Sequence, residues 1–211
     1  MKVTGRLRAF VSRPYDFALV ESPPARVTRE IDAAFAFWRL PPPPGPILEF
    51  GCGTGRLTRP LLQRGYVVNA VEPDPRSHVA LATLERSFPG RLRYAADLGT
   101  LEVAEPHAAA VGVDVLHHTR PLALLQLARS CVRTSGVLAF DEPDGAHPAW
   151  LMFVTLTGRL PNEFGLAQTT RRKLEQSFRE AGLSGLRMMR WTPGWRGSLS
   201  PRWFCSAINP V

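Results

Sequence analysis

The 211-residue sequence predicts an α/β fold: a mostly parallel sheet with helices on both faces. Three observations carry that expectation. From residue 47 onward, short apolar runs alternate with helical segments. The runs are apolar at consecutive positions, as in strands buried on both faces. Each of the first five also ends in a glycine-rich or polar cluster, at the edge where open α/β sheets hold ligands.

The elements follow in order. Ile31, Ala34, Phe35 and Trp38 stand at i, i+3, i+4 and i+7 and mark an amphipathic helix over about residues 25–39. Pro41-Pro42-Pro43-Pro44-Gly45-Pro46 is too stiff and too poor in donors for a helix or central strand, so it reads as an extended spacer. Ile47 to Phe50 is the first strand, followed by a short helix over 55–64 that Gly65 ends. Val67 to Val71 is the second strand, with a helix over about 75–87 behind it. Leu92 to Ala95 and Ala108 to Val113 are the third and fourth strands. Thr119 can cap a helix over 121–133, on which Leu124, Leu127, Ala128 and Cys131 share a face. Gly136 to Phe140 is the fifth strand. A later helix aligns Leu174, Phe178 and Ala181 and stops at Gly182, and strands Leu186 to Trp191 and Trp203 to Ile208 close the chain.

Composition narrows the class. With 45% hydrophobic and 21% charged residues the chain is of ordinary globular type. No run approaches 18 apolar residues, which argues against a membrane span, and Met1 to Arg8 lacks the apolar core of a signal peptide behind it. Cys52, Cys131 and Cys205 are odd in number and widely spaced, which argues against a disulfide framework or zinc site. A reduced, cytoplasmic protein is expected. The net charge of +8 is almost all arginine, because Lys2 and Lys173 are the only lysines among 26 basic residues. Residues 1–40 carry +3, residues 41–158 carry −1 and residues 159–211 carry +6. Arginine drift in a GC-rich genome explains such a surplus, and so does an anionic partner.

The clusters at the strand ends carry the chemistry. Gly51-Cys52-Gly53-Thr54-Gly55 follows strand one, with Glu49 two residues before the first glycine. Glycines there let the backbone turn sharply and approach a ligand. The pattern G-x-G-x-G brings its last glycine one residue earlier than the dinucleotide fingerprint G-x-G-x-x-G, which counts against a pyrophosphate loop. Glu72 lies 21 residues after Gly51 at the tip of strand two, where a carboxylate can accept both ribose hydroxyls. Asp97 ends strand three, Asp114 to His118 end strand four, and Asp141-Glu142-Pro143-Asp144 end strand five. The set suits an adenosine-containing ligand.

On these residues the sequence resembles the class I S-adenosylmethionine-dependent methyltransferases, in particular the small bacterial type 11/type 12 group. Ile47 to Thr58 is similar to that family's first motif nearly letter for letter, and Val71-Glu72-Pro73-Asp74 to its second. Ala96-Asp97-Leu98 resembles the adenine-contacting segment, and Val113 to His118 the fourth-strand motif. Phe178 to Leu183 is similar to the late F-x-x-A-G-F/L helix end, so the resemblance spans about residues 40–208. Glu49 stands where Asp is commoner, and Pro60 lies in the first helix, tolerable within its first turns.

The resemblance implies a Rossmann-like seven-stranded sheet in a single domain. Residues 1–40 would form an N-terminal helix and lid, 41–142 the cofactor-binding half, 143–168 a substrate cap after strand five, and 169–211 the C-terminal helix and strands. It implies S-adenosylmethionine as cofactor, S-adenosylhomocysteine as product, and no metal. Tyr15, Glu49, Gly51, Cys52, Gly53, Gly55, Glu72, Pro73, Asp97, Leu98, Asp114 and Val115 would line the cofactor. Glu72 would hold the ribose and Asp97 the adenine amino group. Tyr15 would cap the methionine carboxylate or line the acceptor site, with a packed surface role equally open.

Methyl transfer needs a nucleophile held in line with the methyl group, and positioning supplies most of the acceleration. A general base matters only for a protonated acceptor. His117, His118 and Glu142 are the catalytic candidates, against the alternative that the histidines brace the loop, pack or touch the cofactor. Trp150, Met152 and Phe153 in the cap could cover an apolar acceptor or simply pack. The acceptor is expected to be a small molecule of natural-product or glycolipid type, and the end-loaded arginines favour an anionic one. RNA is the second reading, disfavoured because no recognition module accompanies the charge. An NAD-dependent oxidoreductase is disfavoured by the glycine spacing and the lack of a Tyr-x-x-x-Lys pair. A methyltransferase-fold protein with another reaction remains the fourth. The sequence assigns neither the methylated atom nor an oligomeric state.

Overall fold

A computed structural model of the chain describes residues 25–101, 105–148, 150, 152, 164–192 and 201–210. In chain order it forms α1 (Ala25–Trp38), β1 (Pro46–Phe50), α2 (Thr58–Gln63), β2 (Val67–Val71), α3 (His78–Ser87), β3 (Leu92–Ala95), β4 (His107–Val113), α4 (Pro121–Cys131), β5 (Val132–Pro143), α5 (Arg171–Glu180), β6 (Ser184–Trp191) and β7 (Arg202–Ile208). Among the described residues, seven strands make one sheet in the order β3-β2-β1-β4-β5-β7-β6. The pairs from β3 through β5 are parallel, and β7 runs antiparallel to both β5 and β6. The chain winds outward from β1 to β3 and then recrosses to β4. The β1/β4 boundary is therefore the switch point where a crevice opens beyond the strand ends.

Alternation along the strands separates two apolar layers. Ile47, Val68, Ala109, Val111 and Ala139 pack under α1, α2 and α3 through Ile31, Trp38, Leu61, Leu81 and Leu84. Leu48, Phe50, Ala110, Leu138 and Phe140 face the other way, against Leu125 and Ala128 of α4 and Leu174 and Phe178 of α5. Phe140 and Phe178 meet nearly edge-on, with centroids 6.2 Å apart and planes at 76°. Truncating either fully buried ring to alanine costs about 3–5 kcal/mol.

Several boundaries differ from the sequence expectation. Helix α2 starts at Thr58 rather than 55, because Gly53 and Gly55 hold positive φ and keep the chain in turns. Pro60 thereby becomes the third helical residue, where the missing N–H has no intrahelical partner to lose. Helix α4 stops at Cys131 and β5 begins at once, four residues before Gly136. The β4–β5 register shifts between His107 and Ala109, and Ser135 takes φ 63°. A Cβ at Gly136 would lie 2.8 Å from the Ala108 carbonyl oxygen, so glycine lets the bent strand continue against β4. Strand β5 also runs on to Pro143 beside β7, which puts Asp141 and Glu142 inside the sheet edge on opposite faces. Tyr15 and Phe153 lie outside the described residues, as does half of the 143–168 stretch.

Candidate functional site

The glycine loop closes over the tip of β2. Gly51 and Cys52 donate to the Val71 carbonyl at 2.9 and 3.4 Å, and Gly55 donates to Cys52 at 2.9 Å. All three glycines have positive φ, but their surroundings differ. A Cβ at Gly51 would lie 2.8 Å from Val115 Cγ2, and one at Gly55 would lie 2.3 Å from Leu84 Cδ1. At Gly53 a Cβ would meet nothing within 4 Å. Two glycines therefore permit packing, and the third leaves the loop's outer face open to a ligand.

Glu72 is tied to that loop. Its Oε2 accepts from the Gly53 N–H at 2.7 Å and its Oε1 from the Asp74 N–H at 2.8 Å, while its backbone carbonyl sits 2.8 Å from His78 Nε2. Each carboxylate oxygen keeps further acceptor capacity for hydroxyls. The Glu72 N–H donates to Ala95 at 2.9 Å, which brings the β2 and β3 tips together. Exposed Asp97 follows β3, its Oδ1 accepting from Thr100 N–H at 3.0 Å, with half-buried Leu98 beside it and Pro73 exposed on the β2 side. Beneath the loop, Glu49 is fully enclosed. Burial pushes its carboxyl up to about 8, with Thr58 opposing and Glu72 adding to the rise, and its Oε2 has no partner among the described residues. Burial likewise pushes the Cys52 thiol up, which leaves it protonated and unreactive.

At the next strand end, the 3-10 turn Leu116–His118 is held from below by Glu142. This carboxylate has no exposed surface. Its Oε1 accepts from the Val115 and Leu116 N–H groups at 2.8 and 2.7 Å, and its Oε2 from His117 N–H at 3.4 Å. His117 Nδ1 lies 2.7 Å from the same Oε2, and a carboxylate partner assigns the ring proton to Nδ1. His117 is buried, whereas His118 is exposed, with its ring centroid 4.0 Å away. Glu142 thus orients the turn, and the two histidine rings meet at a 43° tilt at the carboxyl edge.

A third group was not anticipated from the sequence. Asp114, at φ 57°, accepts from Arg56 Nη1 and Arg202 Nη2, each at 2.7 Å. Arg202 Nε reaches Asp141 Oδ1 at 2.5 Å and lies 3.4 Å from Glu30, which also pairs with Arg56. Burial opposes the charge on Asp114, but Arg202 and Arg56 outweigh it and hold this carboxyl below the usual range. Burial dominates at Asp141, raising it well above the usual carboxylate range against the pull of Arg202. Burial also works against the charge on Arg202, yet its three carboxylate neighbours keep it protonated. Three carboxylates and two guanidiniums therefore bind α1, the glycine loop, the β4 end, β5 and β7 into one network. The signal that could have found it is a lone charge embedded in a buried pattern: Glu30 beside Ile31, and Arg202 at the head of an apolar strand.

The structure brings Glu49, Gly51, Cys52, Gly53, Gly55, Glu72, Asp114, Val115, His117, His118 and Glu142 to one edge of the sheet, with Pro73, Asp97 and Leu98 beside them on the β2/β3 tips. Among the described residues, no group of three or more His, Cys, Asp or Glu is arranged to hold a metal, and no helix is long and apolar enough to cross a membrane.

Comparison with known proteins gives a consistent family. A methyltransferase-domain family matches residues 23–187. The ribosomal RNA small subunit methyltransferase A of Sphingopyxis alaskensis is 37% identical over 105 residues, which is 50% of this chain and 35% of that protein. The chain spans 17% and 35% of the length of two such curated relatives. Among solved structures, Burkholderia thailandensis 1,6-didemethyltoxoflavin-N1-methyltransferase, bound to 1,6-didemethyltoxoflavin and S-adenosylhomocysteine, aligns with TM-score 0.65 and 20% identity, over 97% of this chain and 88% of that one. Haemonchus contortus phosphoethanolamine N-methyltransferase 2, with phosphomonomethylethanolamine and S-adenosylhomocysteine, gives TM-score 0.68 and 14% identity, over 87% and 53%.

Proposed function

This chain belongs to the methyltransferase-domain family, as a class I S-adenosylmethionine-dependent methyltransferase, and from that premise we propose that it methylates a small-molecule acceptor. The observation that carries the reading is the open face at Gly53, flanked by Glu72 and Asp97 on neighbouring strand tips. S-adenosylmethionine would supply a methyl group activated on a sulfonium. Glu72 accepts from the ribose hydroxyls, Asp97 from the adenine amino group, and Pro73 and Leu98 flank the base. The backbone of Gly51, Cys52, Gly53 and Gly55, with Glu49 beneath it, bounds the methionine part on one side. Asp114 and Val115 bound it on the other. His118 and His117 stand toward the acceptor, with Glu142 fixing the orientation of His117.

The acceptor class draws on the structural neighbours, whose bound partners are small molecules. An anionic acceptor draws on the +6 of residues 159–211. Arg202 is consumed by the buried network and Arg190 by Asp144 at 2.9 Å, so that support rests on the remaining basic residues. A second reading, methyl transfer to RNA, draws on the 37% identity to a ribosomal RNA methyltransferase and on the net +8. Incubating the chain with S-adenosylmethionine labelled in the methyl group and an extract of the source organism separates them. Label in the low-molecular-weight fraction supports the first reading, and label in ribonuclease-sensitive material overturns it.

A further inference from the structure

The residues that return from the 143–168 insertion form a short 3-10 turn, Phe164–Gln168, between two other turns. On one side, a Cβ at Gly165 would lie 1.6 Å from the His117 carbonyl oxygen and 2.6 Å from its carbon. On the other, a Cβ at Gly145 would lie 1.7 Å from the Leu166 carbonyl oxygen. Such distances mean backbone against backbone, which only glycine allows. Leu166 is buried, and the fully buried Thr169 closes the turn by donating from Oγ1 and N to the Leu166 carbonyl at 2.9 and 3.0 Å.

The Gly145 side is fixed. Asp144 N–H donates to Pro201 at 2.9 Å, and Asp144 Oδ2 accepts from Arg190 Nε at 2.9 Å, so this turn is fastened to β6 and to the start of β7. The 164–168 turn is thus wedged between an anchored neighbour and the turn that carries His117 and His118. Glu142 holds that histidine turn through its N–H groups and the His117 ring, and the wedge presses on the His117 carbonyl.

We infer that Gly165 is a positioning residue for the histidine turn: through backbone contact at the His117 carbonyl, the 164–168 turn sets where the His117–His118 turn sits. The functional part of this inference rests on that turn belonging to the transfer site. The mechanical part does not.

The test compares the full-length chain with Gly165→Ala and with the gentler Leu166→Ala, which loosens the wedge without adding an atom. Nitrogen-15 NMR reads the His117 Nδ1–H signal, and amide hydrogen exchange reads Val115 and Leu116, whose N–H groups bond Glu142. Both variants should move the Nδ1–H signal and speed those amides by about tenfold or more, while the amides of β1 and β2 stay protected. A changed 164–169 region with an unchanged His117 signal and unchanged 115–116 exchange would overturn the inference, because Glu142 would then hold the turn unaided. If Gly165→Ala fails to fold, Leu166→Ala decides by the same two readouts. S-adenosylhomocysteine is added in a separate titration: its failure to shift any resonance of the wild-type chain would count against the cofactor reading, while the variant comparison still decides the mechanical one.

Discussion

Replacing Arg202 by methionine would leave three buried carboxylates with one guanidinium. The Arg202 side chain is only 4% exposed, and it contacts Asp114, Asp141 and Glu30 at 2.7, 2.5 and 3.4 Å. Removing one partner of a buried ion pair costs about 3–5 kcal/mol, since the remaining charges lose their compensation but not their desolvation. For a domain of this size, 1 kcal/mol moves Tm by about 2–4 °C, so Arg202→Met should lower Tm by roughly 6–20 °C at pH 7.5. The pH dependence gives a sharper signature. In the wild type, Asp114 has a folded pKa below its unfolded one, so its contribution is present above the unfolded value and is lost as pH falls through the folded one. Without Arg202, burial raises Asp114 and lifts Asp141 further above its already raised wild-type range, so the folded state gains more from protonation than in the wild type. Scanning calorimetry from pH 8 to pH 5 should therefore show the variant's deficit shrinking toward acid. A Tm loss under about 3 °C, or a deficit that does not vary with pH, would refute this account of the network.

Two further substitutions probe the cofactor side. Glu49→Gln mimics a carboxyl whose burial holds it at about 8. Because burial raises the folded pKa from 4.5 to about 8, the wild type loses stability as pH rises through that window. The variant should match it below about pH 4.5 and gain on it progressively above, with a flatter Tm profile; an equally steep profile would place the titration elsewhere. Glu72→Ala removes an acceptor that bridges Gly53 and Asp74, and calorimetric titration should show S-adenosylhomocysteine binding weakened by on the order of tenfold or more, as hydrogen bonds to a charged group contribute roughly 1.5–3 kcal/mol. Unchanged affinity would mean that the ribose is held by other groups.

What could be read from the sequence was local. The glycine loop, Glu72 and Asp97 each follow a short apolar strand, and strand length and turn chemistry place them without knowledge of the rest of the fold. The parallel order followed from the strand–helix alternation. The ion-pair network was not legible, because Arg56 and Asp114 are 58 residues apart, and Asp114 and Arg202 are 88 apart. The β4–β5 and β5–β7 pairings bring Asp114, Asp141 and Arg202 together. The early start of β5 was hidden because the bend at Ser135 and Gly136 looks like a turn between helix and strand. His117 and Glu142 were both legible as members of the edge. That one orients the other is a matter of side-chain direction, which the pattern of residues does not carry. The place of Gly165 was invisible for the same reason, since a glycine outside a motif declares nothing until a carbonyl is found against it.

The central claim is that the open loop at Gly53, with Glu72 and Asp97, holds S-adenosylmethionine rather than a nicotinamide dinucleotide. Thermal unfolding of the full-length chain with S-adenosylhomocysteine or with NADH tests it most directly. At a hundred times Kd a ligand specific for the folded state contributes about 2.7 kcal/mol, which corresponds to a Tm rise of roughly 5–11 °C. S-adenosylhomocysteine should produce that rise in the wild type and a much smaller one in Glu72→Ala at the same concentration, and NADH should produce none. A rise with NADH, or none with S-adenosylhomocysteine, would contradict the account.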